Sequence, residues 1–411
     1  MEKKVNFFEA LHNQKLTGVA YKNMVYKKSV LAHLANSGNA TIADLSKELN
    51  ISVPKTNELV NELLDDGIVK DDGKTEAGVG RRASIYGLEA NSAFFVGVEV
   101  NSYHVNIGLM NFKREMIKTQ ENVTYLLDNT EKSLHALCHI IGHFIETCGV
   151  PKEKILGIGV NLSGRINNKT GYSFSYFNFH EDPLSRIIEN EIGIRTYLEN
   201  DSRAMAYGEF SSGIVNGERH VLFVNIDHGI GLGIMINGEL YYGKSGFAGE
   251  FGHIPVFDNE IICRCGKKGC LETEASGIAL RNNFIARLKD GASSILNKKH
   301  KDPDLITVSE IVEAAINDDT LAIELIDDVG EKLGRGMATL INLFNPELVI
   351  LGGLLAKTGE YISLPMKNAI NKYSLSLVNN DTSIKTSKLG EKAGLMGACL
   401  ILRDRLLAIT S

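Results

Sequence analysis

The apolar positions of this 411-residue chain change their period near residue 90. Before that point they recur three and four residues apart. Val30, Leu31, Leu34 and Ala35 predict a helix over residues 25–35. Thr41 is placed to cap a short helix over 42–49, with Asp44 in the capping-box position. Asn50, Ile51 and Ser52 make a tight turn. Ser52 suits the cap of a second helix, whose first turn tolerates Pro54. Leu59, Val60, Leu63 and Leu64 give that helix its inner side, and Lys55, Thr56, Asn57 and Asn61 its outer, early side. Residues 67–70 start a strand, Asp71-Asp72-Gly73 is the expected hairpin turn, and residues 81–88 return. Phe7, Phe8 and Leu11 fit a short helix packed on this head.

Beyond residue 94, short apolar runs alternate with helical patterns. Residues 95–100 and 103–110 predict an antiparallel pair, 134–148 an amphipathic helix and 155–160 a buried strand. A strand over 195–199 delivers Asn200 and Asp201 to a helix start, where ligands tend to bind in open α/β sheets. Runs at 220–226, 231–236 and 239–242 repeat the strand, turn, strand pattern around Gly229 and Gly233. Residues 305–316 and 319–345 are helical, Pro346 is the stop, and the strand 347–351 ends at Gly352-Gly353. The body is therefore α/β, and its two similar strand sets predict two lobes with a cleft between them.

A short helix, a tight turn and a second helix with small polar residues at its start is the helix-turn-helix pattern; the following hairpin is a wing. On this reading residues 1–89 form a DNA-binding domain. Ser52, Lys55, Thr56 and Asn57 would face base edges, and Arg81 and Arg82 a phosphate or a minor groove. Charge agrees with this: residues 1–89 hold 12 basic and 12 acidic side chains, so the formal net charge of −6 arises wholly after residue 89. The start of the chain lacks the apolar run of a signal peptide, and no stretch is long and apolar enough to span a bilayer. Six cysteines, three of them clustered, suit a reducing cytoplasm.

That cluster carries the candidate chemistry. His253 precedes Cys263-Arg264-Cys265-Gly266-Lys267-Lys268-Gly269-Cys270, with Glu250 and Glu272 on either side. Apolar packing or a redox pair would also use cysteines, but three thiolates with one imidazole compose a closed structural zinc site. Such an ion builds a site and holds the carboxylates beside it. Cys138, Cys148 and Cys399 stand alone in apolar stretches and are expected as buried small hydrophobes.

The run Gly229-Ile230-Gly231-Leu232-Gly233, Gly249-Glu250-Phe251-Gly252-His253 and the Cys-x-Cys-Gly-x-x-Gly-Cys-x-Glu knot resembles the signature of the ROK family of repressors and sugar kinases. The head resembles that of its repressor branch. The resemblance implies a winged helix-turn-helix domain (1–89) ahead of a two-lobed actin-like or hexokinase-like ATPase fold (90–411). The lobes are expected near 90–200 plus the C-terminal helix, and 201–390. It implies a monosaccharide or sugar derivative contacted by Asn200, Asp201, Glu250, His253 and Glu272, and zinc on His253, Cys263, Cys265 and Cys270. The partners it implies are a double-stranded operator and a second copy, as dimer or dimer of dimers, with no membrane.

The chain departs from the family's kinases. Their phosphate loop Asp-x-Gly-Gly-Thr corresponds here to Glu99-Val100-Asn101-Ser102-Tyr103, and Tyr103 is expected to fill the phosphate space. Their second loop corresponds to Asp227-His228-Gly229, where a carboxylate would repel a triphosphate. Asp201, at the general-base position, is retained but can serve as a sugar acceptor. The expectation is a sugar-responsive transcriptional regulator without kinase activity. The alternatives are an ATP-dependent sugar kinase carrying a DNA-binding domain, and a scaffold that binds another protein.

Overall fold

Apolar runs form the inner strands of two five-stranded sheets, one in each of two compact units. In the computed structural model, which describes residues 7–11, 17–74 and 83–407, the units are Met1–Asp201 with Leu395–Ser411, and Ser202–Gly394. The head lies within the first.

The head forms as its periodicity requires. Its helices are Gly18–Ser37, Ile42–Glu48 and Val53–Asp65, and Val30, Leu31, Leu34, Leu45, Leu59, Val60 and Leu63 are buried. Thr41 and Asp44 make the expected capping box: the Asp44 N–H donates to Thr41 Oγ1 at 3.2 Å, and the Thr41 N–H to Asp44 Oδ2 at 3.1 Å. The first helix starts earlier than its apolar stripe, because Val19 and Tyr21 extend it while exposed. Strands Ala40–Thr41, Val69–Lys74 and Ser84–Leu88 form the wing sheet. Asp71-Asp72-Gly73 is not its turn. Pairing shifts register there and resumes at Lys74 with Ser84, so the irregularity lies inside the strand. The hairpin tip and Arg81 and Arg82 lie outside the described residues. The helix Phe7–Leu11 ties the head down: Phe7 is buried, its N–H donates to Asp66 Oδ2 at 3.1 Å, and Phe8 meets Phe112 edge-on at 5.9 Å.

The first unit's sheet runs Thr196–Asn200, Ile155–Leu162, Phe94–Val100, His104–Asn111, Met116–Thr124. The first three strands are parallel and the last two antiparallel. The second unit repeats the plan. Val221–Ile226 is central, Ile230–Ile236 and Glu239–Leu240 are antiparallel on one side, and Leu348–Gly352 and Ser383–Thr386 parallel on the other. The two similar strand sets in the sequence are this duplication. Helices Glu131–Thr147 and Leu184–Ile192 contribute buried side chains to the first unit's core. Gly277–Lys289, Val308–Ile316, Thr320–Phe344 and Glu360–Tyr373 do so in the second.

The C-terminal helix Ala393–Leu407 returns to the first unit's sheet at close range. A Cβ on Gly159 would stand 2.6 Å from the Ala398 carbonyl oxygen, and one on Gly97 2.5 Å from Cys399 Sγ. We expect Gly159→Ala to destabilise the protein by about 1–3 kcal/mol through overpacking. A lower urea midpoint at unchanged slope is the expected result; an unchanged midpoint would show that the helix stands off the sheet.

Candidate functional sites

Four ligand atoms converge in the second unit. Phe251–His253 is a single 3-10 turn, and Gly266 and Gly269, at φ of 81° and 72°, fold residues 263–270 back toward it. The ligand atoms of His253, Cys263, Cys265 and Cys270 all lie within 4.8 Å of one another. Zn–S bonds of about 2.3 Å at tetrahedral angles imply S···S near 3.8 Å and N···S near 3.5 Å. Cys265 Sγ lies 3.7 Å from Cys270 Sγ, and Cys263 Sγ 3.5 Å from His253 Nδ1. The donor set therefore fits a tetrahedral cation. Burial and then the flanking thiols push Cys270 up to about 12, and burial raises Cys263. Burial also acts upward on Cys265, but the Lys267 N–H and the neighbouring thiols outweigh it and lower its pKa.

The imidazole faces two ways. Nδ1 turns to the thiols, and Nε2 lies 3.8 Å from Glu250 Oε2. Glu250 is half-exposed, while Glu272 is buried. Its Oε1 takes Arg264 Nε at 2.9 Å, and its Oε2 accepts from the Ile230 N–H at 3.0 Å and from Arg264 Nη2 at 3.3 Å. Gly229 leaves room for this carboxylate, since a Cβ there would stand 2.5 Å from Glu272 Oε2 and displace it. Arg264 was not legible as a site residue; its position between two cysteines was the available signal.

In the first unit, Asn200 ends its strand and Asp201 opens the helix Asp201–Ser212. Asn200 Nδ2 donates to the Gly164 carbonyl at 3.0 Å and to Asp201 Oδ1 at 2.9 Å, so the amide orients the carboxylate.

At the positions corresponding to the kinases' phosphate loops, groups of the protein bond to one another. Glu99 is buried and accepts from Asn106 Nδ2 at 2.8 Å. The Asn101 N–H donates to the His104 carbonyl at 2.9 Å, closing the turn. Tyr103 is 65% exposed, and its backbone carbonyl accepts from the Tyr125 N–H at 3.1 Å. In the second unit Asp227 accepts from the backbone N–H groups of His228, at 2.7 Å, and Leu354, at 3.3 Å, and meets His228 Nδ1 at 2.6 Å. Burial acts to raise Asp227, but the imidazole and the two N–H donors outweigh it and lower its pKa. The Asp227 hydrogen bond raises His228.

On the head, Ser52, Pro54 and Asn57 are exposed at the start of Val53–Asp65, and Lys55 pairs with Glu58 at 2.8 Å. Ser52 stands at the cap position without a side-chain cap bond. Thr56 leaves the outer set: it is fully buried, and its hydroxyl donates to the Ser52 carbonyl at 3.1 Å.

A sequence model of the ROK family matches residues 95–405, and one for winged helix-turn-helix DNA-binding matches residues 26–70. A putative xylose repressor from Caldicellulosiruptor sp. (strain Rt8B.4) is 28% identical over 389 residues, 93% of this chain and 96% of that one. A solved ROK family transcriptional regulator, a homolog of the E. coli Mlc protein, matches with a TM-score of 0.79 at 26% identity, over 94% of this chain and 99% of that one. A ROK family glucokinase from Streptomyces griseus, solved with glucose and AMPPNP, matches with a TM-score of 0.67 at 27% identity, over 75% of this chain and 99% of that one.

The Asp227–His228 pair has a pH signature. The raised His228 contributes stability that is present below its ordinary pKa and lost as pH rises through the folded value. We expect the melting-temperature advantage of wild type over His228→Gln to shrink as pH rises from about 6 to 8.5. A constant difference would contradict the pairing.

Proposed function

The chain belongs to the ROK family, and from that membership we propose that it is a sugar-responsive DNA-binding regulator, a repressor of carbohydrate-utilisation genes, acting as a cytoplasmic dimer or dimer of dimers. The observation that carries the reading is the joining of a winged head to a sugar-kinase-like body whose phosphate-loop positions are filled from within. Backbone N–H groups that would cradle a phosphate instead serve Asp227, and the counterpart of the other loop is closed by Asn101 and His104. The body would bind sugar without phosphorylating it.

In this reading Asn200, Asp201, Glu250, His253 and Glu272 contact sugar hydroxyls, Glu272 using a lone-pair site that Arg264 leaves open. Zinc on His253, Cys263, Cys265 and Cys270 is structural: it fixes the imidazole so that Nε2 and Glu250 are presented together. Ser52, Lys55, Asn57, Arg81 and Arg82 contact operator DNA. Sugar changes DNA affinity by binding one arrangement of the protein more tightly than another.

The test is selection of binding sites from a random duplex pool, followed by titration of the chosen site with a monosaccharide and sugar-phosphate panel. A pseudo-palindromic site whose affinity shifts about tenfold or more with one sugar supports the reading; no selected sequence, or no sugar effect, contradicts it. Glu250→Gln should abolish the sugar shift and leave DNA affinity unchanged. Purified protein should hold zinc equimolar with chain, and Cys265→Ser should lose both the metal and several degrees of melting temperature. Full sugar response in the metal-free variant would refute the organising role of zinc.

A further inference from the structure

The first unit holds a cavity of about 680 Å³ that belongs to none of the residues above. Its walls come from the loop Asn168–Gly171, the start of the helix Leu184–Ile192, the strand Thr196–Asn200 and the C-terminal helix Ala393–Leu407. Four cationic side chains line it, Lys169, Arg186, Arg195 and Arg405, against one carboxylate, Glu189. Among the described residues no carboxylate forms an ion pair with Lys169, Arg195 or Arg405, and Arg186 has only the exposed Asp182 at 3.8 Å. In a chain of net charge −6 this is a local reversal of sign.

The guanidiniums are held in place. Arg195 and Arg405 both lie over the Tyr197 ring, at 5.5 and 4.7 Å, and Arg405 Nη1 donates to the Asn168 carbonyl at 2.9 Å. Burial raises the Tyr197 phenol, which stays neutral and adds no competing negative charge. Two like charges fixed against one ring repel each other unless an anion lies between or beside them. Glu189 is the lone acidic group facing them, and it accepts from the Thr196 N–H at 3.3 Å.

We propose that this cavity is a binding site for a small, multiply charged phosphate-bearing metabolite. Its volume suits a metabolite rather than a single phosphate. Arginine supplies forked donors matched to phosphate oxygens. None of the sugar-contact set lines the cavity: Leu198, the lining residue of the strand nearest Asn200, lies two residues from it, about 7 Å along the strand. The cavity spans that strand and the C-terminal helix, so an anion there would bridge the two.

The test is calorimetric titration of the full-length protein with fructose 1,6-bisphosphate and with inorganic pyrophosphate as probes. Saturable binding of either probe is expected, weakened about tenfold or more by Arg195→Gln and by the exposed double variant Lys169→Gln with Arg405→Gln. Glu250→Gln should bind the probe as wild type does. Absence of saturable heat up to about 10 mM, or unchanged affinity in the folded cavity variants, overturns the proposal. So does loss of binding in Glu250→Gln, which would assign the anion to the sugar-contact set instead.

Discussion

Three thiols and an imidazole crowded within 4.8 Å of one another are the constraint on which the second unit's site depends. Burial raises the thiols of Cys263 and Cys270, the latter to about 12. A divalent cation held there would favour the thiolates and close the loop around itself. The consequences run outward from His253. With Nδ1 committed to the thiols, Nε2 must face Glu250. Arg264, held between two cysteines, reaches the buried Glu272 with two donors, and Glu272 in turn takes the Ile230 N–H. Thus a knot of eight residues places two carboxylates and one imidazole nitrogen without any of them coming from the body's sheet.

The same economy underlies the proposal that a kinase-like body senses sugar without phosphorylating it. A phosphate loop works because backbone N–H groups lack internal partners and wait for an anion. Here those opportunities are used up. Asp227 takes the donors of His228 and Leu354 and draws the His228 imidazole against itself. Asn101 and His104 satisfy one another across the other loop. In the proposed reading, the missing glycines of one loop and the carboxylate in the other would weaken phosphate binding, while Asn200, Asp201 and Glu250 would keep their hydrogen-bonding chemistry.

Much of this was legible in the sequence because strong local rules acted there. The capping box at Thr41 and Asp44, the helix start at Asp201 and the spacing of the four metal-ligand candidates are short-range patterns. Where the outcome depended on side-chain direction or distant partners, it was not. Thr56 looked outward by type but bonds back to the Ser52 carbonyl and is buried. Tyr103 looked like a plug but is turned to solvent. Met116–Thr124 carried no apolar alternation because it is an edge strand with mostly exposed side chains, so periodicity could not reveal it. Asp71-Asp72-Gly73 had turn chemistry and formed a register shift instead. The duplicated sheet plan was visible as two similar strand sets and the family resemblance implied that the C-terminal helix joins the first lobe, whereas its close approach to glycines 97 and 159 required the third dimension.

The central claim is that the protein recognises sugar while having given its phosphate-binding donors to its own side chains. The most direct measurement is calorimetric titration of the zinc-loaded, full-length protein with ATP and magnesium, in the presence of a sugar that alters its DNA affinity, with product analysis of the same sample. The account predicts no saturable ATP heat and no phosphorylated sugar. Saturable ATP binding with stoichiometric sugar phosphate would contradict it.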